Sequence, residues 1–136
     1  MPTSVVIQKS TSSRKPEKIL AHLSHEVAHL FWRTRGEAQR RDYRGFLARS
    51  CDPATVEVTD YVQGLFKEYL QSQKKFRKNE VHPKLHDGDF LRWTEESFCD
   101  TVATKLVGTH PDRPDNCSVD LRQRLEEMQN SLQLAL

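Results

Sequence analysis

A chain of 136 residues, 36% hydrophobic and 29% charged, holds enough apolar material for one modest core, so residues 1–136 read as a single domain. Its net charge of +2 is too small to imply a polyanionic partner. The longest apolar runs, Val5-Val6-Ile7 and Leu30-Phe31-Trp32, fall far short of the roughly 20 residues of a membrane-spanning helix.

In chain order, Val5-Val6-Ile7-Gln8 is the one segment with strand character, and a Ser/Thr/Lys-rich stretch follows it. Pro16 suits a first helical turn. Ile19, Leu20, Leu23, Val27, Leu30 and Phe31 then recur at helical spacing and predict a helix over 16–34, ended by Gly36. A second helix is expected over 37–49. Asp52-Pro53 reads as a cap and first turn for a third, whose apolar face is Val58, Tyr61, Val62, Leu65, Phe66, Tyr69 and Leu70. That face is read as core packing. Residues 71–93 are polar, contain His82-Pro83 and Asp87-Gly88, and are expected to form a long connection. Thr94 is the expected cap of a helix ending near Gly108, and Ser118 that of a last helix carrying Leu121, Leu125, Met128 and Leu132. The sum is a mostly α fold of about five helices with minimal sheet.

Cys51, Cys99 and Cys117 are odd in number and form no CxxC pair, which disfavours a thiolate zinc cluster and favours a reducing compartment. Met1-Pro2-Thr3-Ser4 lacks the charged and apolar regions of a secretory signal. A cytoplasmic or otherwise intracellular location is therefore expected. Basic clusters at Arg33, Arg35, Arg40, Arg41 and Arg44, and at Lys74, Lys75, Arg77 and Lys78, are interleaved with Glu37, Asp42 and Glu80. They read as solvated helix ends, leaving nucleic acid a secondary expectation.

The chemistry lies in His25-Glu26-Val27-Ala28-His29. On a helix the two histidines project from one face a turn apart and can bind one metal ion. Glu26, angularly offset, is left free to act on water. Histidine nitrogen with carboxylate oxygen in a tetrahedral set suits zinc. Random placement of this composition yields the pattern in roughly 2% of such chains, so its helical context matters. Downstream, Glu96 and Asp100 share a helical face at a spacing of four. Glu96 can complete the metal set and Asp100 can orient an imidazole. His82 and His86 are the other candidates for third ligand, ranked below the helix-borne Glu96. His22 is read as a solvated or packing histidine and Cys99 as a small buried hydrophobe.

Glu96-Ser97-Phe98-Cys99-Asp100-Thr101-Val102-Ala103 after an HExxH helix resembles the gluzincin zinc peptidases, including small ImmA/IrrE-like and SprT-like members. The resemblance spans roughly residues 17–34 and 94–108. It implies a zincin-like helix pair, zinc held by His25, His29 and Glu96, Asp100 behind a ligand, Glu26 as general base, and a peptide or protein substrate. Gluzincins place a small sheet before the active helix, where this chain offers only Val5–Gln8. The expected activity is zinc-dependent peptide-bond hydrolysis. The main alternative is a non-catalytic helical interaction or regulatory protein that keeps a peptidase-like metal site. A di-iron bundle is disfavoured because the E-x-x-H of Glu26–His29 has no second copy. Tyr43, Tyr61, Tyr69, His82, His86 and His110 are the pool for a transition-state donor.

Overall fold

The computed structural model describes residues 16–108 and 120–136, which form five helices: α1 (Pro16–Arg33), α2 (Glu37–Ser50), α3 (Asp60–Arg77), α4 (Pro83–Val107) and α5 (Leu121–Leu132). No strand occurs among the described residues, and Val5–Gln8 lies outside them. The fold is mostly α, as expected. None of the described helices is long and apolar enough to cross a membrane.

Helix α4 is the centre of the architecture. Helices α1 and α3 pack along it, while α2 and α5 pair with each other and touch its far part. Trp32, Tyr43, Phe66, Trp93, Phe98, Leu47, Val102, Met128 and Leu132 fill the space between. Rings meet at close range there, with Trp32 and Phe98 centroids 4.9 Å apart and Phe66 and Trp93 4.6 Å apart. Each such side chain contributes about 1.5–3 kcal/mol through burial.

The buried side of α1 is not its aliphatic one. Ile19, Leu20, Leu23, Val27 and Leu30 are exposed, and the side facing the core is Ala21, Ser24, Ala28 and Trp32. The small residues let the α1 backbone approach α4 closely. His25 and His29 lie on that inner side and are thereby carried against α4.

Several boundaries also differ from expectation. Gly36 does not close α1 in a left-handed turn; its extended backbone caps α2, with its N–H donating to Gln39 Oε1 at 2.9 Å. Asp52-Pro53 forms a turn in which Asp52 Oδ1 accepts from the Ala54 N–H at 2.8 Å. The third helix starts later, capped by Thr59. Residues 71–93 are largely helical, because α3 runs to Arg77 and α4 begins at Pro83 behind a His82 cap. Phe76 stacks on His86 and Tyr69 on Trp93, which joins the two helices across this polar stretch. Thr94 therefore lies mid-helix, where its hydroxyl donates to the Phe90 carbonyl at 2.9 Å. Asp120 caps α5, and Ser118 is outside the described residues.

Candidate metal centre

The inner face of α1 and the middle of α4 bring His25, His29, Glu95, Glu96 and Asp100 together. His25 Nε2 lies 2.9 Å from Glu96 Oε1, and His29 Nε2 lies 3.2 Å from Glu96 Oε2. One carboxylate thus faces both imidazoles. On the opposite edges, His25 Nδ1 donates to Asp100 Oδ1 at 2.7 Å and His29 Nδ1 donates to Glu95 Oε2 at 2.6 Å. Those two bonds turn both Nε2 atoms inward onto Glu96, where a metal ion would take the place of the proton that lies between His25 Nε2 and the carboxylate.

Asp100 is itself held. Thr59 donates to its second oxygen at 2.6 Å while accepting from the Val62 N–H as the α3 cap. The start of α3 is thereby tied to the orientation of His25. Neither Glu95 nor Thr59 was identified from the sequence. Glu95 carried a weak signal as a second carboxylate beside Glu96, whereas Thr59 is distant in sequence and had none.

The electrostatics favour a cation. Burial works against charge on His25, but the hydrogen bonds and charges of Asp100 and Glu96 outweigh it and carry the imidazole to about 9. Burial would also raise Glu96, yet the hydrogen bond from His25 and the charges of His29 and His25 bring it below its ordinary value. Three carboxylates surround two imidazoles, a surplus of negative charge that a divalent ion would balance. The donor set, two imidazoles and a carboxylate, fits zinc.

Cys99 offers a second candidate set. Ligating atoms of His25, His29 and Cys99 all lie within 4.8 Å of one another. Cys99 is fully buried, and its thiol is pushed strongly upward by burial and then by Glu96, Glu95, Asp100 and Glu26. A metal ligand must be the thiolate, which these carboxylates oppose. The charge favours Glu96, whose oxygens lie 2.9 and 3.2 Å from the two Nε2 atoms.

A cleft of about 670 Å³ opens over the centre, lined by His22, His25, Glu26, His29, Tyr61 and Glu96 among others. Glu26 is exposed on its wall. Tyr61, expected in the core, is 60% exposed and lines the cleft as well. The other members of the donor pool are elsewhere: Tyr43 is buried in the core, Tyr69 stacks on Trp93, His82 caps α4, and His86 stacks on Phe76. His110 lies outside the described residues. The structure brings neither His82 nor His86 to the centre. Much of the first basic cluster is engaged internally, with Arg44 and Arg40 on Glu37 and Arg35 on the carbonyls of Phe31 and Leu132.

A second charged cluster, unforeseen in the sequence, lies behind the centre. Glu57 is fully buried and accepts from Arg124, with Nη1 at 3.0 Å and Nη2 at 3.2 Å, from Trp93 Nε1 at 2.9 Å, and from Ser97 Oγ at 3.1 Å. It ties α5 and the 52–59 segment to α4.

No family model, curated protein or solved structure matches this chain.

Proposed function

We propose that this chain is a zinc-dependent peptidase of gluzincin-like design. One observation carries the reading: two imidazole Nε2 atoms turn onto the two oxygens of Glu96 while Asp100 and Glu95 hold the rings from behind. His25, His29 and Glu96 would hold the ion. When bound, zinc supplies a Lewis acid that polarises the scissile carbonyl and lowers the pKa of water toward about 7. Glu26, on the cleft wall beside both histidines, accepts the proton of the attacking water and passes it to the leaving amine. Asp100 and Glu95 keep the imidazoles in the tautomer that serves the ion. The cleft of about 670 Å³ over the centre is where a peptide chain would lie, and the free thiols of Cys51 and Cys99 support an intracellular setting.

The test combines metal analysis with cleavage profiling of a proteome. Wild type should hold one zinc per chain and His29→Ala none. Glu26→Gln should retain zinc and lose cleavage by about 10²–10⁴-fold. A wild type that takes up no zinc overturns the metal assignment; undiminished cleavage by Glu26→Gln overturns the role of that residue.

The proximity of Cys99 to both histidines favours one second reading: a closed, non-catalytic His25/His29/Cys99 metal site in an interaction protein. Cobalt substitution separates the two. A sulfur-to-cobalt charge-transfer band supports the cysteine set, and its absence in a cobalt-loaded protein supports Glu96.

A further inference from the structure

Thr59 stands between the open centre and the start of α3, and its hydroxyl meets two partners whose chemistry fixes its direction. The ionised carboxylate of Asp100, 2.6 Å away, only accepts, and the Val62 N–H, 3.2 Å away, only donates. The hydroxyl proton therefore points at Asp100 Oδ2, while an oxygen lone pair caps α3. Asp100 Oδ1 in turn accepts from His25 Nδ1 at 2.7 Å. A single file of hydrogen bonds thus runs from the first turn of α3 through Thr59 and Asp100 to an imidazole.

Capping α3 uses only the acceptor half of that hydroxyl. Its donor half is committed to a carboxylate that is itself buried, with Asp100 3% exposed. Groups that bond the partner of a histidine ligand tune the ligand, and bonds in such a chain polarise one another. The other end of the file reaches the cleft. Asp60 and Tyr61, the two residues after Thr59, are exposed and line the cleft with His25 and Glu96. Thr59 is also braced from behind: its carbonyl accepts from the Gln63 N–H at 2.9 Å, and the Gln63 side chain accepts from the Glu57 N–H at 2.6 Å. The hydroxyl is therefore presented to Asp100 from a fixed support.

Resting on the zinc reading above, we propose that Thr59 is a positioning residue that couples the ion at His25 to the cleft wall formed by Asp60 and Tyr61. An ion that fixes the His25 ring also fixes Asp100, and through it the Thr59 hydroxyl and the first turn of α3. By linkage the effect is reciprocal, so a wall held in place by a bound peptide tightens the grip on the ion by the same factor. Filling the centre and ordering the wall are then one event.

The experiment measures zinc affinity by chelator competition, and amide hydrogen exchange at Val62 and Gln63 with and without zinc, in the full chain. Thr59→Val should weaken zinc binding on the order of tenfold, and Thr59→Ser, which keeps the hydroxyl, should restore it. In an Asp100→Asn background Thr59→Val should change affinity by less than about twofold, because the link is already broken. Zinc should slow exchange at Val62 in wild type and leave it unchanged in Asp100→Asn, an arm that needs no change at Thr59 and so survives any loss of folding in Thr59→Val. A Thr59→Val protein that is less stable in urea yet binds zinc as tightly as wild type would make Thr59 a helix cap alone and overturn the proposal. So would additive losses in the double variant, or exchange at Val62 in wild type that ignores zinc. In all three cases wild type still holds zinc and the metal assignment stands, whereas a wild type that takes up no zinc overturns both together.

Discussion

Two charged clusters share helix α4 and differ in almost every other respect. Glu95, Glu96 and Asp100 meet two imidazoles under an open cleft, whereas Ser97 and Thr101 join Glu57 and Arg124 in a sealed interior. The sealed cluster is balanced, one carboxylate against one guanidinium. Burial opposes the charge on Arg124, and Glu57 beside it more than compensates, so the guanidinium holds its proton more tightly than usual. The open cluster has a surplus of carboxylates, and the same logic raises His25 to about 9 despite its burial. Balance with closure is the mark of a structural ion pair. Surplus charge with an entrance is what the proposed ion site requires.

The largest expected effect breaks the sealed side. Arg124→Met leaves Glu57 buried and unpaired, a change that costs about 3–5 kcal/mol. Urea denaturation should show it as a lower midpoint. Adding Glu57→Gln to that variant should recover most of the loss, because the buried charge is then gone. If Arg124→Met were neutral, the contrast between a structural pair and an ion site would collapse.

Next in size is a change on the open side. Asp100→Asn keeps the shape but weakens the hold on His25 Nδ1 and on Thr59, both of which Asp100 binds. Zinc affinity, read by chelator competition, should fall about 10–100-fold, as is usual when the partner of a histidine ligand is altered. Unfolding without metal should shift far less than in Arg124→Met. A variant that binds zinc as tightly as wild type would show that Asp100 does not orient the ring.

The contrast also explains what could be read in advance. His25, His29, Glu96 and Asp100 were legible because each pair is four residues apart on one helix, and helical spacing survives folding. Glu57 and Arg124 are 67 residues apart, and no local pattern joins a buried glutamate to an arginine on another helix. The aliphatic period of α1 marks a helix but not its buried side, which Ala21, Ala28 and Trp32 supply. Periodicity reports that a face exists; which face is buried depends on what packs against it. The helical stretch from Gln71 to Trp93 was obscured for a related reason. Asp87-Gly88 looks like a turn until the stacking of Phe76 on His86 and Tyr69 on Trp93 supplies the energy to keep the chain helical.

The smallest expected effect uses that stretch to test whether the two clusters act independently. Gly88 lies inside α4, ahead of both, and an added Cβ there meets no atom within 4 Å. Gly88→Ala should therefore stabilise the protein by about 0.5–1 kcal/mol, by lowering the entropy of the unfolded chain and favouring helix. It touches neither Glu57 nor Glu96, so thermal unfolding should move up while zinc affinity stays at the wild-type value. A rise in affinity together with stability would mean that the ion site is strained by fraying of α4. The open cluster would then draw its order from the helix as a whole, and the distinction between the two regions would be one of degree.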